Sequence, residues 1–183
     1  GANIADNHPI LCQRLERNKK RTLIVVDPRV TKTAMIADLH LPVKPRSDIA
    51  LVNGIANVLI RYDLIDRCYI DKHTSGYEEF AAFVADFTPQ YVAEVTGLDE
   101  ETIVRVALLY GNAKAGFIGW TMGVNHSTQG AATVTSINNL ALITGNIGRV
   151  GAVPFSITGQ CNAMGTRETG FTSGLPGYRR FEN

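Results

Sequence analysis

The sequence predicts an α/β fold with a mainly parallel sheet flanked by helices, and three observations carry that expectation. Thr22-Leu23-Ile24-Val25-Val26 is a continuous, β-branched apolar run of the kind buried on both faces of a parallel sheet. It follows an amphipathic stretch from Ile10 to Lys20 and is closed by Asp27-Pro28-Arg29, so loop, helix and strand stand in the order of a βαβ unit. A second strand, Gly116 to Trp120, runs into a loop rich in ligand-capable groups and then into a helix from about Gly130 to Ile143.

In chain order, Gly1 to Pro9 reads as a loop feeding the first helix, whose Ile10, Leu11 and Leu15 share one face. The first strand of that unit would then precede Gly1, so the chain is expected to start mid-fold. Thr33 to Asp38 reads as a short helix and Leu39 to Val43 as a short strand. Ser47-Asp48 is placed to cap a helix from Ile49 to about Tyr62, with Val52, Ile55, Ala56 and Leu59 at helical spacing. Helical patterns follow at Tyr77 to Ala85, at Pro89 to Val95 and from Asp99-Glu100-Glu101 to Tyr110, the last with acids in its first turn. Thr121 to His126 reads as a loop and Thr144 to Gly148 as a glycine-punctuated turn. No repeat or low-complexity linker interrupts the pattern.

Composition fits one compact domain, or one with a piece of a second: 183 residues, 45% apolar, 19% charged. A formal net charge of +1 without a long basic run lacks the footprint of a nucleic-acid binder. No apolar stretch approaches the roughly 20 residues of a membrane span, and no export signal opens the chain, so a cytoplasmic location is expected. Cys12, Cys68 and Cys161 are odd in number and widely spaced, which writes neither a disulfide framework nor a metal site; no metal ligand is assigned.

The stretch Thr158 to Glu168 places polar, small and flexible residues where a core would want aliphatics. Gly159 and Gly165 allow close backbone approach, while Gln160 and Arg167 supply an amide and a fixed cation suited to an oxyanion. Arg167 could equally pair with Glu168. Ligands of open α/β sheets bind beyond the carboxyl ends of the strands. The Gly1 to Asn7 loop would offer amides to a phosphate, and Asp27 lies where an acidic residue meets a ribose or base edge. Asp48 is either a base-edge acceptor, able to take both N1–H and N2–H of guanine, or a helix cap. The Gly-x-Gly-x-x-Gly fingerprint is absent, which disfavours a nicotinamide dehydrogenase.

Several of these segments together resemble a known family. Gly1-Ala2-Asn3-x-Ala5-Asp6-x-His8-Pro9, Val25-Val26-Asp27-Pro28-Arg29-x-Thr31-x-Thr33-Ala34, Trp120-Thr121-Met122-Gly123, Leu142 to Gly148 and Thr158-Gly159-Gln160 through Arg167-Glu168 occur in the order and near the spacing of bis-molybdopterin guanine dinucleotide oxidoreductases. The form of the last segment is most similar to assimilatory nitrate reductases. The resemblance implies a Rossmann-like, doubly wound α/β domain over residues 1–155 that grips the molybdenum cofactor, with residues 156–183 beginning a crossover into a neighbouring domain. By that likeness Asn3, Asp27, Arg29 and Asp48 fall at cofactor-contacting positions, and Thr121, Met122, Gly123 and Gln160 near the pterin or metal. Gln160, Arg167 and Met122 become the catalytic candidates.

Formate dehydrogenases of this family carry Arg where Thr158 stands, so the likeness implies reduction of nitrate to nitrite by oxygen-atom transfer, with formate oxidation as the alternative. A non-redox guanine-nucleotide-binding or structural module is the reading from a different class. His126 replaces the Gln of many relatives and reads as a solvated or core histidine. The family further implies an iron–sulfur cluster and a second dinucleotide-holding domain elsewhere in a longer catalytic subunit, together with an electron donor. The chain is therefore expected to be a fragment, inactive alone.

Overall fold

The computed structural model describes residues 2–157, 162–171 and 175–179. Within them the elements run α1 (Ile4–Asn7), α2 (Pro9–Arg17), β1 (Ile24–Val26), α3 (Lys32–Met35), β2 (Leu39–Leu41), α4 (Asp48–Arg61), α5 (Arg67–His73), α6 (Tyr77–Val84), α7 (Pro89–Thr96), α8 (Glu100–Gly111), β3 (Phe117–Trp120), α9 (Met122–Asn125), α10 (Gly130–Ile143), β4 (Val153–Ser156) and α11 (Ala163–Glu168). A 3-10 turn follows at Pro176–Tyr178.

The class is α/β with parallel pairing, but the described strands form two small sheets rather than one doubly wound sheet. β1 pairs parallel with β2, Val25 opposite His40, and β3 pairs parallel with β4, Gly119 opposite Phe155. The Thr22 to Val26 run, expected to be buried on both faces, is ordered as strand only from Ile24 and is half-buried. Its one partner strand and one core-facing side explain the difference.

Helix α4 is the centre of the packing. Ala50, Leu51, Ile55, Ala56, Val58 and Leu59 are all buried, and the helix touches α6, α7, α8 and α10. Strand residues Leu41, Ile24, Val26 and Ile118 pack against the same core, which thereby fixes both sheets to one helix. A smaller core of Ile4, Cys12 and Ile157 joins the amino-terminal segment to the residue following β4. Burial pushes the Cys12 thiol up, with the charge of Glu16 adding to the shift.

Several local expectations change. Gly1 to Pro9 was expected to be a loop, yet Ile4–Asn7 forms a helical turn, and Thr121 to His126 contains α9. On α2, Cys12 and Leu15 face the small core while Ile10 and Leu11 stay exposed. Ser47 is the capping position of α4 but makes no side-chain cap; its Oγ instead donates to the Lys44 carbonyl at 2.6 Å, and Asp48 is the first helical residue. Asp99 does cap α8, accepting from Thr102 N at 2.7 Å. Among the described residues no helix is long and apolar enough to cross a membrane.

Gly54 sets how closely α4 and α7 approach, because a Cβ there would stand 2.6 Å from Cγ2 of the fully buried Val92. Replacing Gly54 by Ala raises helix propensity by about 1 kcal/mol, yet overpacking of about 1–3 kcal/mol should outweigh it. A lowered urea midpoint for Gly54→Ala is the expected result; a raised one would show that the two helices can separate freely.

Candidate functional site

All four described strands point their carboxyl ends at one cavity of about 820 Å³. Asp27, Pro28 and Arg29 line it after β1, Val43 to Arg46 and Asp48 after β2, Thr121 to Gly123 after β3 and Ile157 after β4. Asn3, Asn7 and His8 close it from the amino-terminal segment, and His126, Ser127 and Thr128 from the approach to α10. Parallel strands end with their connections on one side, so this is where an α/β fold gathers polar groups around a ligand.

Asp27 is 4% exposed and fixed from several directions. Its N–H donates to the Leu41 carbonyl at 3.2 Å, its carbonyl accepts from His40 Nε2 at 2.8 Å, and Oδ1 accepts from Arg29 N at 2.9 Å. The Arg29 Nε lies 3.9 Å from the same oxygen, on an otherwise exposed side chain. Asn3 has its amide engaged inside the protein: Oδ1 accepts from Thr33 Oγ1 at 2.9 Å and Nδ2 donates to Asp6 Oδ2 at 2.6 Å. Thr33 Oγ1 also accepts from Ala5 N at 3.0 Å, which pins α1 onto α3. Lys32 Nζ reaches Asp6 Oδ1 at 2.7 Å, and these contacts, Lys32 first and Asn3 next, hold the Asp6 carboxyl below its usual range.

On the opposite wall, Trp120 Nε1 donates to Asn125 Oδ1 at 3.0 Å and Asn125 Nδ2 donates to Ser156 Oγ at 3.2 Å. These bonds bind α9 to the ends of β3 and β4 and so place Thr121, Met122 and Gly123 on the cavity. Further back, Asn146 is 2% exposed and holds the start of β3, its Oδ1 accepting from Gly116 N at 3.0 Å. The Thr144 to Gly148 turn is thus a brace behind the site.

The structure therefore brings Asn3, Asp27, Arg29, Asp48, Thr121, Met122 and Gly123 to one cavity. Arg167 is exposed on α11 and outside the lining, with no ion pair to Glu168 among the described residues. Gln160 lies outside the described residues. His126, read as solvated or core, is exposed at the cavity wall.

Sequence reasoning gave no role to His8, whose Nε2 is buried without a hydrogen-bond partner on a residue lining the cavity. Nor did it single out Arg46, which lines the cavity at φ 70°. The His8-Pro9 pair, a capping position followed by proline at the first helical position, was the available signal for the former. A left-handed arginine has no sequence signature, and its conformation costs about 1–2 kcal/mol relative to the ordinary one.

A space of this size, walled by two carboxylates, three cations and an unpartnered imidazole nitrogen, suits an extended ligand with phosphates and a polar ring. The family model for molybdopterin oxidoreductases matches residues 1–182, and the chain belongs to the molybdopterin oxidoreductase family.

The chain is 46% identical over 188 residues to a nitrate reductase of Synechocystis sp., a match covering 100% of this chain and 26% of the relative. It is 38% identical over 182 residues to formate dehydrogenase H of Escherichia coli, covering 98% of this chain and 26% of that protein. Among solved structures, acetylene hydratase from Pelobacter acetylenicus matches with a TM-score of 0.76 and 28% identity over 84% of this chain and 22% of its own. The chain spans about a quarter of the length of these curated relatives.

Thr33 is 2% exposed and bridges Asn3 to Ala5. Thr33→Val should cost about 1–3 kcal/mol, because it strips two partners from their hydroxyl, and should speed amide hydrogen exchange across Ala5 to Asn7. Unchanged exchange there would mean the Thr33 bridge does not order α1. The Asp6 to Lys32 tether should weaken as pH falls below the ordinary carboxylate value of 3.8, since Asp6 is held below it in the folded state, and the protection of the Ala5 amide, referred to the unfolded-chain exchange rate at the same pH, should fall there.

Proposed function

We propose that this chain is the cofactor-gripping portion of a molybdenum oxidoreductase that reduces nitrate to nitrite. Residues 1–155 form the α/β domain that holds molybdopterin guanine dinucleotide, and residues 156–183 begin the passage toward a neighbouring domain. The observation that carries this reading is the convergence of Asn3, Asp27, Arg29, Asp48 and Thr121 to Gly123 on one cavity at the strand ends.

The residues divide the work by chemistry. Asp48, half-buried at the first turn of α4, presents a carboxylate able to accept both N1–H and N2–H of a guanine. Asp27, immobilised at the end of β1, presents its remaining carboxylate capacity to a ribose or base edge. His8 Nε2, buried and unpartnered, can hydrogen-bond a phosphate or hydroxyl oxygen, which removes the cost of leaving it unsatisfied. Thr121 to Gly123 shape the wall where the pterin would lie, Gly123 allowing close approach.

When bound, the molybdenum cofactor supplies two-electron oxygen-atom transfer, by which nitrate, two electrons and two protons become nitrite and water. Gln160 and Arg167 are the chain's own groups for the substrate, an amide donor and a permanent cation that attract the oxyanion and hold it in place. The electrons come from a donor protein through an iron–sulfur centre held elsewhere in the whole enzyme.

Formate oxidation is the second reading, favoured by the 38% identity to formate dehydrogenase H. Thr158 in place of the family's formate-orienting arginine and the 46% identity to a nitrate reductase support nitrate. The test is turnover by the whole enzyme with an artificial electron carrier: nitrate reduction without formate oxidation is expected, and the reverse would replace this substrate assignment. Arg167→Ala should lower nitrate turnover about 10- to 100-fold and Arg167→Lys less, while parent-like rates in both would remove Arg167 from the substrate site.

A further inference from the structure

We infer that Arg46 is a ligand-binding residue of this cavity, its guanidinium meeting a phosphate at the guanosine end of the dinucleotide; the inference rests on the cofactor reading above. Arg46 lines the cavity two residues before Asp48. Its backbone is left-handed, φ 70°, a region that glycine enters freely and arginine does not. The turn is fastened on both sides of it. Lys44 N donates to the Thr96 carbonyl at 2.8 Å, and Ser47 Oγ and N both donate to the Lys44 carbonyl, at 2.6 and 3.3 Å. This framework imposes the conformation on whichever residue stands at 46, and glycine would satisfy it without strain.

Packing gives no reason for an arginine there. Arg46 is exposed, and among the described residues its side chain has no ion pair or hydrogen bond. The other two cations on the cavity wall are already engaged. Lys44 Nζ donates to the Glu94 carbonyl at 3.1 Å, and Arg29 Nε stands 3.9 Å from the Asp27 carboxylate. Arg46 is thus the cavity cation whose side chain has no hydrogen bond or ion pair among the described residues, two positions before Asp48. A guanosine diphosphate end, with base N–H donors for Asp48 and a phosphate within an arginine's reach of them, supplies both complements at once. The strained turn and the free cation have the same explanation if the side chain is kept for the ligand.

The experiment uses the whole enzyme prepared without its cofactor and titrated with GDP and, for comparison, ADP, alongside its unfolding midpoint. Arg46→Gly should weaken GDP binding about tenfold while leaving the midpoint unchanged or higher, and the loss should shrink as salt is raised. Arg46→Lys should recover part of the affinity. Equal GDP affinity in the parent and Arg46→Gly overturns the role of Arg46 and leaves the cofactor reading standing. A fall in both affinity and midpoint marks a structural role and overturns it too. A parent enzyme that binds ADP as tightly as GDP, or binds neither, overturns the cofactor reading and this inference with it.

Discussion

Burial of α4 is the constraint on which the rest of the molecule depends. Leu51, Ile55, Val58 and Leu59 are each at least nine-tenths buried and contribute roughly 1.5–3 kcal/mol apiece before chain entropy is counted. The same core takes up Ile24, Val26 and Leu41 from one sheet and Ile118 from the other. Two parallel strand pairs, each too small to stand alone, are thereby oriented by one helix so that all four carboxyl ends meet. Asp48 is delivered to the same place as the first residue of that helix. The cavity is a consequence of the core rather than a feature added to it.

Around the cavity, the fixed groups and the available groups separate. Asn3, Thr33, Asp6 and Lys32 are occupied with one another and order the amino-terminal segment, while Trp120, Asn125 and Ser156 order the far wall. His8 Nε2 is left unpartnered between them, and Arg46 presents a cation that no described residue compensates. Walls fixed in this way around the buried His8 Nε2 suit a preorganised binding site, because the cost of ordering that group has been met in folding. The two acids and three cations of the lining also explain why net charge said little about the ligand: opposite signs are partitioned within one cavity instead of coating a surface.

Much of this was legible in the sequence, and the failures have physical causes. The bounds of α10 were read at Gly130 and Ile143, and α4 was misplaced by only one residue at each end, because long apolar periodicity is a local signal. Helix α5 went unread because it is short and mostly polar, and β4 because Val153-Pro154-Phe155-Ser156 is exposed at an edge and carries a proline. The expected single sheet was wrong in continuity among the described strands because pairing is non-local and no run of residues encodes it. Asn3, Asp27, Asp48 and Thr121 to Gly123 were identified from motif order and likeness to a family. The orphaned nitrogen of His8 and the left-handed Arg46 exist only in three dimensions.

A cavity that grips the guanosine end of a molybdenum cofactor should keep that cofactor with the purified whole enzyme. The most direct test is acid release from the purified whole enzyme, with molybdenum and the liberated nucleotide quantified per polypeptide. Molybdenum accompanied by guanosine monophosphate in fixed proportion is the expected result. A whole enzyme that yields no guanosine nucleotide, or an adenosine nucleotide in its place, would contradict it.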